Sequence, residues 1–240
     1  MTGLAHVRVP EESFVPEASF TEFPKISRLF RPIVITEKID GTNSAVVVSE
    51  TSLYGYGADE IVGPGIVVNK APFEGHFDGW DPVYVYAQSR KQVISPEQDN
   101  FGFAKWVREN AHKLAAGLGV GVHFGEWWGS GIQRKYGLDE KRFSLFNVSR
   151  WGEYEEANGF GETVIVNPRP KCCHVVPVLA EADTFAVDAV IGALASLEDD
   201  GSRAAPGFMD PEGVVLYHKH SNSLFKATIK GDDKGKEHGA

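Results

Sequence analysis

Five short stretches carry residue types able to do chemistry. The first is Thr36-Glu37-Lys38-Ile39-Asp40-Gly41-Thr42-Asn43, set between two β-branched runs, Ile33-Val34-Ile35 and Val46-Val47-Val48. Apolar runs flanking Asp-Gly predict a strand, a tight turn and a second strand. Lys38 then stands at a rigid strand edge, beside an aspartate and a glycine that lets a ligand come close. A lysine acts as a covalent nucleophile only when part of it is neutral. Its ordinary pKa is about 10.4, so neighbouring cations or a metal must lower it. The bland alternative is a surface hairpin with an ordinary lysine and a turn Asp-Gly, and Lys-x-Asp-Gly alone does not decide between the two.

The other four stretches fall at strand ends. Ser89-Arg90-Lys91 closes a run of alternating Val and Tyr. Phe124-Gly125-Glu126-Trp127-Trp128-Gly129 places one carboxylate among aromatics and glycines. Phe143-Ser144-Leu145-Phe146-Asn147-Val148 offers aromatics that could stack. Glu212-Gly213-Val214-Val215 and Leu224-Phe225-Lys226-Ala227-Thr228-Ile229-Lys230 lie close together near the end. A carboxylate in an apolar strand is costly unless something pairs with it. Two such glutamates, with an aspartate beside a lysine, suit a metal or ribose site.

The elements that must position these residues follow from periodicity. Val83 to Gln88 alternates as a strand with unlike faces. Asp99-Asn100 caps a helix of roughly 101–117, with Phe103, Trp106, Val107, Asn110 and Leu114 at helical spacing and Lys105, Arg108, Glu109 and Lys113 facing out. Gly117 and Gly119 end it. Residues 120–128 and 142–150 read as aromatic-rich strands joined by the glycine-rich stretch 129–137. Residues 163–166 form a short strand, and 184–197 a second helix through Phe185, Val187, Val190, Ile191, Leu194 and Leu197. Glu212 to Tyr217 and Leu224 to Lys230 make a closing strand pair. Residues 51–82, rich in glycine and proline, read as loops around one strand at Gly65-Ile66-Val67-Val68. Phe14, Phe20, Phe23 and Leu29-Phe30 predict a first segment pinned to a core by aromatics. Strands outnumber helices and are mostly joined without them, which predicts an α+β fold of antiparallel sheets, not a doubly wound parallel one.

Bulk composition narrows the class. The chain has 240 residues, 42% apolar and 24% charged, with a net charge of −9. It is long enough for a core without disulfides. The acidic balance means that a nucleic-acid partner would need a local basic patch. Arg90-Lys91, Lys105, Arg108, Arg134-Lys135 and Lys141-Arg142 are either such a patch or a solvated face. The two cysteines, Cys172 and Cys173, are adjacent and read as reduced thiols with no zinc spacing. His218-Lys219-His220 reads as exposed. No signal-peptide layout or membrane-length apolar run is present, so the expected location is cytoplasmic.

Taken in order, Lys-x-Asp-Gly, Phe-Gly-Glu, aromatic-Phe-Asn-Val, Glu-Gly-Val-Val and a terminal lysine strand resemble the covalent nucleotidyltransferases, the ATP-dependent polynucleotide ligases and mRNA capping enzymes. Glu37-Lys38 with Gly41-Thr42-Asn43, and Phe124-Gly125-Glu126 followed by Gly131-Ile132-Gln133, resemble the RNA ligase 2-like branch. Other branches usually place arginine where Asn43 stands. The resemblance spans roughly residues 30–230 and implies one nucleotidyltransferase (ATP-grasp-like) adenylation domain of packed, twisted antiparallel sheets flanked by helices. It implies an ATP-dependent RNA ligase, with ATP as co-substrate, Mg²⁺ or Mn²⁺ as metal, and RNA 5′-phosphate and 3′-hydroxyl ends as partners. Lys38 would become lysyl-AMP. Glu37 would lie beside the adenine and Phe146 on its face. Glu126 would hold the ribose, Arg90 the ribose or phosphate edge, and Asn43 the phosphate. Asp40, Glu126 and Glu212 would surround the metal through its waters, and Lys226 would balance charge on the α-phosphate.

Two departures from the pattern stand out. The last motif usually reads Lys-x-Lys, whereas here it is Lys226-Ala227-Thr228. Lys226, Thr228 and Lys230 share a strand face, so Lys230 either replaces the missing lysine or faces solvent. Many relatives also continue into another domain, while ten residues follow Lys230 here. That predicts a minimal enzyme or one that works with a separate protein partner. A DNA ligase, a capping-type transferase, and a non-sealing nucleotide-binding module remain the alternatives.

Overall fold

In a computed structural model of the protein, residues 22–53, 65–69, 82–157 and 162–231 are described. In chain order the elements are β1 (Ile33–Lys38), β2 (Thr42–Ser49), β3 (Ile66–Asn69), β4 (Pro82–Ser89), β5 (Val93–Ile94), α1 (Phe103–Leu118), β6 (Gly121–Gly129), β7 (Lys141–Leu145), α2 (Val148–Trp151), β8 (Tyr154–Ala157), β9 (Thr163–Val166), β10 (His174–Val175), β11 (Val178–Ala182), α3 (Val187–Asp200), β12 (Gly213–His218) and β13 (Ser223–Thr228).

Two sheets carry the fold. A four-stranded antiparallel sheet runs β11-β1-β12-β13. A seven-stranded sheet runs β10-β7-β6-β2-β4-β3, with β5 paired to β4. Its pairs are antiparallel except β10 with β7. A separate hairpin, β8-β9, stands apart. The expected α+β class with antiparallel sheets is what forms. The chain passes from β1 in the first sheet to β2 in the centre of the second through Ile39-Asp40-Gly41. The Lys38 turn is therefore the hinge point between the sheets, not the tip of a hairpin within one sheet.

Each sheet has its own core. Val46, Val48, Val83, Val85, Trp127, Phe143 and Leu145 of the larger sheet pack on Phe103, Val107, Ala111 and Leu114 of α1. Those helix residues recur at i, i+4, i+8 and i+11, a single apolar stripe. The Asp99 carboxylate caps the helix by accepting from Ala104 N (2.7 Å) and Lys105 N (3.1 Å), although the helix begins two residues later than the sequence pattern suggests. Gly117 lies inside it and only Gly119 ends it. The smaller sheet buries Ile33, Ile35, Val214 and Leu216 against Ala193 and Leu197 of α3. Val187 and Ile191, read as part of that stripe, are exposed, because the face of α3 that meets the sheet runs through Ala189, Val190, Ala193, Leu194 and Leu197. A third cluster, Ile39, Trp128, Tyr136, Val176 and Ala205, lies directly under the turn.

Several expectations fail. Phe23, Leu29 and Phe30 are exposed and do not pin the first segment; its described part is held instead by His218, which is buried and hydrogen-bonded through Nε2 to Leu29 O at 2.8 Å. His218 was expected at the surface. Phe14 and Phe20 lie outside the described residues. The strand expected over 142–150 stops at Leu145, because Asn147 caps the short α2 by accepting from Arg150 N. Among the described residues, no helix is long and apolar enough to cross a membrane.

Candidate active site

The site grows from the end of β1. In register, Lys38 faces Gly213 of β12, which in turn faces Thr228 of β13. Lys38, Thr36, Val215, Lys226 and Thr228 share one face of the sheet by strand alternation. Lys38 Nζ lies 2.6 Å from Glu212 Oε2, a pair in which both side chains are partly exposed. Gly213 is in the left-handed φ range and lies too close to the Ala227 carbonyl for any side chain. The glycine thus lets β13 close in beside the glutamate.

Glu37 points to the other face. It is buried, and its carboxylate accepts from Ser202 Oγ (2.5 Å), Arg203 N (2.8 Å) and Ala204 N (2.8 Å). Burial raises its pKa, and these hydrogen bonds pull the other way. Its carboxylate is already satisfied by the loop after α3, so the expectation that it meets a nucleotide base does not fit where it sits.

The turn itself is held from several sides. Asp40 N donates to Tyr136 Oη at 2.8 Å, and Asp40 Oδ2 accepts from Arg134 Nε at 3.1 Å. Gly41 N donates to Glu126 Oε1 at 3.1 Å. A Cβ on Gly41 would fall 2.5 Å from the Trp127 carbonyl oxygen and 2.7 Å from Trp128 Cβ. Only glycine allows β6 this near the turn.

Glu126 faces Asn43 across the β2–β6 pair. Burial pushes its carboxyl up to about 7, against the pull of Lys38 and the Gly41 amide. Two residues along the same face is Phe124, whose carbonyl accepts from Phe146 N at 3.0 Å. Phe124 and Phe146 are both exposed. They form an apolar strip leading away from Glu126. Arg90 is exposed and follows Ser89, which pairs with Ser44 at the same end of the sheet.

The structure thus brings Lys38, Asp40, Asn43, Glu126 and Glu212 to one junction, with Phe146 and Lys226 on faces that open from it. Lys230 is drawn elsewhere: its Nζ lies 2.6 Å from Asp210 Oδ1. That ammonium and Arg134 hold the Asp210 carboxyl below its ordinary range. The possible basic patch does not converge as one surface. Arg134 is tied to Asp40 and Asp210, and Arg142 to Glu140 while lying over the Trp128 ring. Lys105 and Lys141 both line a shallow cavity, together with Glu109 and Asp139.

Two residues at the turn have no such role in the sequence reading, where Arg134 figures only as part of a possible basic patch. Tyr136 supplies the buried hydroxyl beneath the turn, and Arg134 the guanidinium beside it. The available signal was an arginine and an aromatic inside the glycine-rich stretch 129–137, a poor place for either to be idle.

A two-sheet α+β domain with a lysine at the strand-to-strand crossing and three carboxylates around it fits a nucleotidyl-transfer site. Residues 31–230 match the RNA ligase family, and the chain belongs to that family. No protein with a curated description matches. Among solved structures it is similar to mutants of a Naegleria gruberi RNA ligase. One, apo, is 15% identical with a TM-score of 0.45 over 83% of this chain and 50% of that one. Another, with ATP and Mn, is 15% identical with a TM-score of 0.46 over 83% and 49%. A third, with AMP and Mn, is 14% identical with a TM-score of 0.44 over 83% and 50%. The chain spans about half the length of these proteins.

Proposed function

We propose that the protein is an ATP-dependent RNA ligase working through lysyl-AMP. The observation that carries this reading is the Lys38–Glu212 pair at the crossing between the sheets, ringed by Asp40 and Glu126. Lys38 Nζ attacks the α-phosphorus of ATP. A P–N bond forms and the bond to pyrophosphate breaks, its electron pair leaving with pyrophosphate. The ammonium proton must be lost first, and Glu212 Oε2 is the acceptor in contact. A 5′-phosphate oxygen of RNA then takes AMP from Lys38, and a 3′-hydroxyl displaces AMP to make the phosphodiester. Lys226 and Asn43 steady phosphate charge, Arg90 the ribose or phosphate edge, and Phe146 the base. Such chemistry is mostly positioning and charge neutralisation.

The carboxylates fit a hydrated divalent ion. Asp40, Glu126 and Glu212 each spend one oxygen on a protein donor. Among the described residues, no three His, Cys, Asp or Glu are near enough to ligate one metal directly. Contact through water is the arrangement that Mg²⁺ favours. When bound, the ion neutralises charge on the phosphates.

Incubation with α-labelled ATP or GTP tests the proposal. Label should come from ATP and vanish in Lys38→Ala. An AMP adduct persisting in that variant overturns the assignment of the nucleophile. Label from GTP favours capping chemistry. The position of Thr228, in line with Lys38 where the family expects lysine, favours one second reading, a non-sealing binding module. Absence of any label from wild type supports it. Sealing of matched nicked-duplex and single-stranded RNA, with DNA controls, then defines the substrate.

A further inference from the structure

Arg134 has no role in the reading above, yet it is the most connected side chain near the turn. Its Nε donates to Asp40 Oδ2 at 3.1 Å. Its Nη1 donates to Asp210 O at 2.8 Å and Pro211 O at 3.4 Å, and lies 3.0 Å from Asp210 Oδ2. One rigid guanidinium therefore joins the residue two after Lys38 to the two residues just before Glu212. The backbone around it is unusual. Gln133, Lys135 and Tyr136 all have positive φ, at 42°, 60° and 52°. Side chains disfavour that region, and three of them together persist only where the surroundings over-determine the conformation. The surroundings here include the buried Tyr136, which packs on Trp128 and Phe208 and accepts from Asp40 N.

We propose that Arg134 is a positioning residue that sets the spacing of Asp40 and Glu212 about Lys38. This rests on the ligase reading for its functional consequence, though not for its geometry. Asp40 leaves β1 on its way to the seven-stranded sheet, while Glu212 enters β12 from the loop after α3. Strand pairing fixes Lys38 against Gly213, and Ile229 N donates to Glu212 O at 3.1 Å, but the Asp40 carboxylate and the 210–211 carbonyls lie beyond those strand pairs and are the groups that Arg134 ties together. An arginine fork can hold a carboxylate and two carbonyls at once in a fixed geometry. A lysine, a point charge on a flexible stem, cannot. Displacing reacting groups by ~1 Å can cost about 10²-fold in rate.

The test uses the full chain with Arg134→Ala and the milder Arg134→Lys, and it has two separate readouts. The first is amide hydrogen exchange without ligands. Exchange should quicken at 39–41 and at Asp210 and Glu212 in Arg134→Ala, while the strand interiors stay protected. Unchanged exchange at both segments overturns the clamp, whatever the enzyme does. The second is single-turnover formation of the AMP adduct. The rate should fall about 10²-fold, the Mg²⁺ or Mn²⁺ concentration for half-maximal rate should rise, and millimolar guanidinium should partly restore Arg134→Ala. An Arg134→Ala rate near wild type, with exchange quickened, means that the clamp exists but does not govern the reaction. A wild type that forms no adduct sinks the ligase reading, and the exchange result still decides the clamp. If Arg134→Ala fails to fold, Arg134→Lys carries both readouts.

Discussion

Glu126 offers the sharpest physical test, because its burial and its proposed task pull against each other. Its carboxyl has an ordinary value of 4.5 and is raised to about 7, with burial as the largest cause. The folded protein therefore holds a proton there that the unfolded chain has released, over the interval from 4.5 to about 7. Stability must fall as pH rises through that interval, since the native state binds more protons. At about 1.36 kcal/mol per pH unit, the whole interval is worth about 3 kcal/mol, taken as an upper figure. Glu126→Gln keeps an acceptor for Gly41 N and cannot ionise. It should match wild type near pH 4.5 and exceed it increasingly up to pH ~8. For a domain of this size, ~3 kcal/mol corresponds to roughly 6–12 °C in melting temperature. Thermal melts of both proteins between pH ~5 and ~8.5 measure the difference, and the other titrations cancel between them. A difference that is constant across that range refutes the argument. The same variant should lose most adduct formation, so it would gain stability and lose activity together.

Further expectations follow from the neighbours of the turn. Glu37→Ala should destabilise the fold without touching Lys38, by about 1–3 kcal/mol for each amide of the 203–204 pair left unsatisfied, as read from urea unfolding. Lys226→Ala should slow adduct formation ~100–1,000-fold, whereas Lys230→Ala, tied to Asp210 at the surface, should stay within a few-fold of wild type. Single-turnover rates decide both, and equal losses would mean that Lys230 leaves Asp210 to serve in place of Thr228.

Much of the scaffold was legible because it is written in local periodicity. The α1 stripe, the Val-Tyr alternation of β4 and the pair β12–β13 were placed within a few residues. What escaped was decided at a distance. The strands β8, β10 and β11 are short and contain no fully buried residue, so no clear apolar period marks them. Asp-Gly after a β-branched run suggested a hairpin, but the chain crosses between sheets there, and only sheet order reveals it. For the site, the stretches around Lys38, Glu126 and Glu212 do meet, since strand ends meet wherever the strands pair. Glu37 misled because a carboxylate beside a reactive lysine looks functional, while strand alternation alone would have put the two on opposite faces. Its partners, Ser202 to Ala204, lie more than 160 residues away, and no local pattern announces them.

The turn shows how a reactive group can be both fixed and free. Asp40 N, the Asp40 carboxylate and Gly41 N are each answered by a different side chain: Tyr136, Arg134 and Glu126. All three come from β6 or the stretch just after it, so the seven-stranded sheet grips the turn as one body. Lys38 belongs instead to the four-stranded sheet by strand pairing, and among the described residues its side chain is held by Glu212 alone. That last bond is partly open to solvent, so it is screened and exchangeable in a way that a buried pair is not. An incoming phosphate or a hydrated cation can compete for either partner without disturbing the backbone. Strand pairing thus fixes the Lys38 backbone, while the contact between its Nζ and Glu212 is one that a ligand can break.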